Sequence, residues 1–233
     1  MLNFLDTSNW QGRYIPALTG ADAVIVKATE GTGYVDPYCD SIIQQAMATG
    51  MPWGFYHFAG RGDATSDAAF YLDNCRNYFG QGIPVLDWEG NQGVEWVNAF
   101  VEHVHAQTGV WPWIYANPWR FDQGGVNPNC ARWVASYPDV ASPTWSQAQG
   151  WDCPAADGNV VAWQFCSDGA VDGIAGNVDL DLFYGDKEQW LAYARGDSMS
   201  NPDNGDGSGS GVDSAVGKTT LENDTYKITI ERK

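Results

Sequence analysis

Basic residues are scarce in this chain. Lys and Arg together number 12 in 233 residues against 29 Asp and Glu, a formal charge of −17. Nucleic-acid backbones are held by clusters of Lys and Arg, so nucleic acid is not an expected partner. Docking on an anionic membrane surface is disfavoured for the same reason. No run reaches the ~18 apolar residues of a transmembrane helix, so integral membrane contact is not expected either. There is no CxxC pair, which argues against a zinc ribbon or a thioredoxin-type redox site. No GxGxxG follows a strand-like run, so a doubly wound dinucleotide fold finds no support. The five cysteines, Cys39, Cys75, Cys130, Cys153 and Cys166, are odd in number, and at least one is therefore unpaired. Cys153 and Cys166 could bridge a loop; buried thiols are the expectation for a chain made in a reducing compartment.

What the chain does have is rings. Twelve Trp stand beside 11 Tyr and 9 Phe on a composition that is 44% hydrophobic and 18% charged. That is globular rather than disordered composition. Aromatic surplus on an acidic background fits a neutral, hydroxyl-rich ligand such as a glycan, or an aromatic-rich core.

Up to about residue 185, short apolar runs alternate with helix-like segments. Strands are expected at 4–7, 23–28, 53–58, 84–89, 112–116, 132–136, 160–165 and 178–183, several of them near-continuous apolar runs of the kind buried on both faces. Asp36-Pro37 reads as a helix start closed by Gly50. A second helix is expected over 65–79 and a third over 94–107, where Val94, Val97, Val101 and Val104 form one stripe. Eight strands with helices mainly in the first half predict a modified β/α barrel. Composition changes near Gly196. The expected organisation is a barrel over 1–195, a Gly/Ser/Asp-rich linker over 196–217, and over 218–233 the start of a truncated module or a tail, in which 225–230 alternates like one strand. Residues 203–207 (DNGDG) superficially resemble a calcium loop but fail the EF-hand spacing.

The sharpest feature is Pro84-Val85-Leu86-Asp87-Trp88-Glu89. Two carboxylates at i and i+2 on a strand end point to one face, and strand C-termini are where barrel active sites collect. Like charges buried together raise the pKa of one partner, leaving an acid beside a carboxylate, the pairing that glycosidic cleavage uses. Asp6 ends the first strand and Asp179 lies in the last. First and last strands are neighbours in a closed barrel, so these acids can join the pair. Trp88 alternates with the pair and should face the helices. His103 and His105 are ~200° apart on a helix, too divergent for a shared metal. His57 reads as a hydrogen-bonded core histidine. No metal or cofactor is required.

The segments Asp6-Thr7-Ser8-Asn9-Trp10-Gln11-Gly12, Val26-Lys27-Ala28-Thr29-Glu30-Gly31, Gly54-Phe55-Tyr56-His57-Phe58, Leu86-Asp87-Trp88-Glu89, Trp113-Ile114-Tyr115, Ala162-Trp163-Gln164-Phe165 and Val171-Asp172-Gly173 through Asp179 together resemble glycoside hydrolase family 25. These are the Chalaropsis-type lysozymes, or N-acetylmuramidases, common among phage endolysins. The resemblance covers residues 1 to about 184; Thr7 stands where an aliphatic residue is common. It implies a flattened (β/α)5(β)3 barrel acting on bacterial peptidoglycan glycan strands at the β-1,4 bond between N-acetylmuramic acid and N-acetylglucosamine. By the same resemblance Glu89 is the general acid, Asp87 assists the substrate's acetamido group, and Asp6 and Asp179 complete the acidic floor. Tyr56, Tyr115 and Trp163 are then expected to meet sugar faces, with Glu30 and Gln164 as polar partners. The N-terminus lacks a signal-peptide pattern, which fits a monomeric phage enzyme made in a host cytoplasm and released at lysis, or a secreted enzyme without its leader.

Overall fold

The computed structural model describes residues 1–154, 159–197, 218–222 and 227–231. The chain divides into two compact units, Met1–Met199 and Ser200–Lys233. In the first, a 9-stranded sheet contains β1 (Leu2–Thr7), β2 (Ala23–Glu30), β3 (Tyr34–Val35), β4 (Trp53–Phe58), β5 (Ile83–Asp87), β6 (Trp113–Ala116), β7 (Arg132–Ala135), β8 (Val160–Gly169) and β9 (Val178–Phe183). Their order is β1-β9-β8-β7-β6-β5-β4-β2-β3, and pairing of β1 with β2 closes eight of them into a barrel. Strands β2, β4, β5, β6, β7 and β8 run parallel, and β9 runs antiparallel to both of its neighbours. The expected α/β barrel is the fold. The additional strand β3 folds back on β2 as a short antiparallel flap.

Helices of ten or more residues follow only β2, β4 and β5 in the parallel part: α1 (Cys39–Thr49, reached through β3), α2 (Ala64–Cys75) and α3 (Val94–Thr108). Among the described residues the connections after β6 and β7 carry only α4 (Pro118–Asp122) and α5 (Trp145–Ala148), and α6 (Lys187–Arg195) follows β9. Two helix limits differ from expectation. Asp36 does not cap α1, which starts at Cys39; its carboxylate accepts from the backbone N–H groups of Asn9 and Tyr38 and so ties the β1 loop down. Asp63 caps α2 through Ser66 N–H, and the helix stops at Cys75, short of Phe79. Gly50 and Gly109 end α1 and α3 in the left-handed conformation that glycine tolerates best.

Strand alternation produces two apolar layers. Leu5, Val24, Val26, Leu86, Ile114 and Val134 face outward against Ile42, Ile43, Val97, Val101 and Val104 of the helices. Phe4, Ile25, Ile83, Val85, Trp113 and Phe183 fill the barrel with Trp190 of α6. All five cysteines are buried, and Cys166 is a thiol donating to Asp168 Oδ1 at 3.2 Å, so the Cys153–Cys166 bridge is not formed. Among the described residues no helix is long and apolar enough to cross a membrane.

In the second unit, β10 (Lys218–Glu222) and β11 (Lys227–Glu231) pair antiparallel. Two paired strands therefore stand where one strand was expected. The linker reading from residue 198 onward, including the calcium-like run at 203–207, lies outside the described residues.

Candidate active site

The inward side of each strand changes character at the mouth of the barrel. In β5, Val85 fills the core and Asp87, two residues on, enters the cavity; in β1 the same step runs from Phe4 to Asp6. Register then sets the neighbours. Phe58, Asp87, Tyr115 and Trp133 occupy one row across β4, β5, β6 and β7, and Asp6 stands opposite Asp179 across β1 and β9. All six line a cavity of about 250 Å³ together with Glu89, Tyr56, Gln164, Lys27, Ser8, Trp10 and Gln11.

Asp6, Asp87 and Asp181 are buried and Glu89 is exposed just beyond β5. Burial, then the charge of Glu89 and of Asp6, pushes the Asp87 carboxyl well above its ordinary range. Asp6 is raised by burial and by Asp179, against the lowering effect of Gln164 Nε2, which donates to Asp6 Oδ2. Burial and Glu89 raise Asp179 to about 7. Burial and mutual repulsion thus favour the protonated form of these inner acids. Asp87 Oδ1 has no hydrogen-bond partner among the described residues.

Gln164 is fixed from both sides, its Oε1 accepting from Tyr115 OH at 2.8 Å and Tyr137 OH at 2.5 Å. Below it, Asp181 Oδ1 accepts from Trp133 Nε1 at 2.9 Å. Burial, followed by the charges of Asp6 and Asp179, holds Asp181 well above the usual carboxylate range.

The segment carrying Glu89 is gripped by its backbone. Arg120 Nη2 donates to Glu89 O at 2.9 Å and to Gly90 O, while its guanidinium lies over Trp88 at 4.9 Å and Trp119 at 4.7 Å. Trp88 Nε1 donates to Gln92 O at 2.8 Å, and Gln92 Nε2 donates to Ala59 O and Gly60 O. Gly60 N–H in turn reaches Asp67, which also meets His57 Nε2 at 3.3 Å; His57 Nδ1 pairs with Thr29 Oγ1 at 2.8 Å. His57 is a buried core residue whose pKa burial lowers, and His105 stacks on Trp111 at 3.8 Å.

Of the residues expected at the site, Asp6, Asp87, Glu89, Asp179, Tyr56, Tyr115 and Gln164 come together. Trp163 does not. Adjacent residues on a strand face opposite ways, so with Gln164 inward Trp163 points to the helix layer, where it is 1% exposed and donates to Ser136 O at 2.7 Å. Glu30 lies at the edge and pairs with Lys27 Nζ at 2.7 Å; Lys27 is the cation that lines the cavity. Sequence reasoning missed Trp133, Lys27 and Asp181. The signal for Lys27 and Asp181 was present, since each sits two residues beyond an inward position, Ile25 and Asp179.

The family profile of glycosyl hydrolases family 25 matches residues 5–174. An N,O-diacetylmuramidase of Chalaropsis sp. is 33% identical over 162 residues, 61% of this chain and 74% of that protein. The bacterial lysozyme from Streptomyces coelicolor superposes with a TM-score of 0.69 at 25% identity, covering 84% of this chain and 98% of the other. The catalytic domain of endolysin ply40 from bacteriophage P40 of Listeria monocytogenes gives 0.66 at 26%, with 84% and 98% covered. With this profile over most of the barrel and the same fold in its relatives, the chain belongs to glycosyl hydrolases family 25 and is a glycoside hydrolase.

Proposed function

We propose that this chain is a peptidoglycan hydrolase, a lysozyme of the N-acetylmuramidase type, which cleaves the β-1,4 bond between N-acetylmuramic acid and N-acetylglucosamine. The observation that carries the reading is the Asp87–Glu89 pair at the cavity mouth, one acid buried with an unpartnered oxygen and the other exposed. A buried acceptor left without a donor costs about 1–3 kcal/mol. A substrate acetamido N–H would supply the missing donor to Asp87 Oδ1.

In this mechanism Glu89, on the solvent side, gives its proton to the glycosidic oxygen as the C1–O bond breaks. The acetamido carbonyl oxygen bonds to C1, and the cationic oxazolinium so formed keeps its N–H, which donates a hydrogen bond to Asp87 Oδ1. Water then attacks C1, opening the ring, and Glu89 takes the water's proton to regain its starting state. Asp6 and Asp179 form the floor, Tyr56, Tyr115 and Trp133 the walls, and Gln164 a polar partner locked by its own hydrogen bonds. The likeness to lysozymes and to a phage endolysin domain supports the bacterial cell wall as the place of action. To test this, purified peptidoglycan is digested, the products are reduced and the new reducing end is identified. Muramitol is expected. Glucosaminitol would make the enzyme a glucosaminidase, and no release at all would overturn the reading.

A further inference from the structure

Two tryptophans on the mouth side are left in solvent, in a protein that buries Trp88, Trp113, Trp133, Trp163 and Trp190 almost completely. Trp10 is 87% exposed and Trp119 is 54% exposed. Single exposed rings are ordinary on protein surfaces; these two differ in how firmly their segments are held.

Trp10 sits in the turn after β1. Ser8 N–H donates to Gln11 Oε1 at 3.0 Å, Trp10 N–H to Ser8 Oγ at 3.3 Å, and Asn9 N–H to Asp36 at 2.8 Å. Gln11 Nε2 reaches across to Asn177 O at 3.2 Å, beside Asp179. Gly12, at φ +66°, completes the turn. This clamp fixes the backbone while the ring, which also lines the cavity, stays in water. Trp119 lies in the first turn of α4, and one side of its ring is taken by the Arg120 guanidinium that holds the Glu89 and Gly90 carbonyls. Both rings are thus carried by backbone that is ordered before any ligand arrives, which lowers the entropy lost on binding.

Their placement is defined by strand order. Around the closed ring β1, β9, β8, β7, β6, β5, β4, β2, strands β1 and β6 are four steps apart in either direction. Trp10 follows the mouth end of β1 and Trp119 the mouth end of β6, so the segments that carry them stand on opposite sides of the opening that holds Asp87 and Glu89. The floor between them is acidic, and its cation Lys27 is already paired with Glu30. With no free cation among the described residues lining it to pair with an anionic group, what such a track offers a sugar strand is stacking on the C–H faces of its rings.

We propose that Trp10 and Trp119 are the two outer sugar platforms of the site, stacking on pyranose faces at opposite ends of one β-1,4-linked N-acetylhexosamine strand that crosses the mouth. This rests on the muramidase reading above and specifies how long a strand the site engages. The site then has a length preference, because rings on opposite sides of the mouth are both met only by a strand long enough to cross it.

The test uses the full chain carrying Glu89→Gln and peptide-free glycan strands of alternating N-acetylglucosamine and N-acetylmuramic acid, with binding followed by calorimetry. Adding Trp10→Ala or Trp119→Ala is expected to weaken binding of long strands about tenfold each. Phe at either position should recover most of the loss, and Tm should stay within about a degree because both rings are exposed. Unchanged affinity in either Ala variant, with the wild-type chain still releasing muramitol, overturns this proposal alone. A wild-type chain that neither cleaves nor binds the strands overturns the muramidase reading, and this one with it.

Discussion

The two ends of the barrel are built from the same strands and the same alternation, yet they are opposite materials. At the closed end Trp190 of α6 plugs the bore, its ring packed at 5.4 Å on Phe4, 5.6 Å on Trp113 and 5.3 Å on Phe183, all near edge-on. Its N–H is satisfied by Trp53 O at 3.0 Å. At the open end, two residues further along the inward faces, stand Asp6 and Asp87, with Asp181 nearby, and buried oxygens of both Asp87 and Asp181 lack a hydrogen bond among the described residues. Close-packed rings stabilise through dispersion and exclusion of water; clustered buried acids do the reverse. The comparison teaches that one end holds the fold together against strain that the other end keeps for chemistry.

The largest effect should come from Glu89→Gln. Removing the proton donor should lower peptidoglycan cleavage by ~10²–10⁴-fold, and Tm should barely change because the side chain is exposed. Wild-type turnover in that variant would take Glu89 out of the acid role. The complementary change is Trp190→Ala, which removes the plug without touching the mouth. It should lower stability by about 3–5 kcal/mol while the folded fraction keeps its specific activity at low temperature. Loss of activity in fully folded Trp190→Ala protein would mean that the two ends are not separable.

Much of this division was legible in the sequence, for a physical reason. Asp87 and Glu89 end an apolar run at a spacing of two, and any strand puts such residues on one face. Asp6 and Asp179 required only that a barrel closes its first strand near its last; the structure places them directly opposite one another. What was not legible depends on register and on loops. Trp133 enters the cavity because β7 aligns it with Tyr115, next to a register shift at Arg132/Trp133 that no local pattern announces. Trp163 was expected in the cavity alongside its neighbour Gln164, which alternation forbids. Asp36 has the form of a helix cap but is used to pin the turn that carries Trp10, a contact spanning 27 residues. The grip of Arg120 on the Glu89 segment likewise joins residues that lie 31 apart in the chain.

The finest difference between the two ends is their response to pH. The aromatic plug does not titrate, whereas the acids of the mouth do, and their direction follows from the shifts. Asp6, Asp87 and Asp181 are pushed well above the ordinary carboxylate range, and Asp179 to about 7. In the unfolded chain each would release its proton near pH 4. Between that value and its folded pKa, each acid is therefore protonated in the native state and ionised in the unfolded one, so stability falls as pH rises. The contribution is complete below about pH 4 and disappears as pH passes the folded pKa. His57 acts in the opposite sense, since burial keeps it neutral while the unfolded chain charges below about 6.5. Above that pH His57 is neutral in both states, and the acids dominate. Tm should thus decline from pH 6.5 to 8, and Asp179→Asn should flatten the decline around 7 because the amide cannot ionise. A Tm that instead climbs through this interval, or a slope identical in Asp179→Asn, would show that the mouth is already ionised in the folded protein, and the contrast with the plug would then be one of shape rather than of stored electrostatic strain.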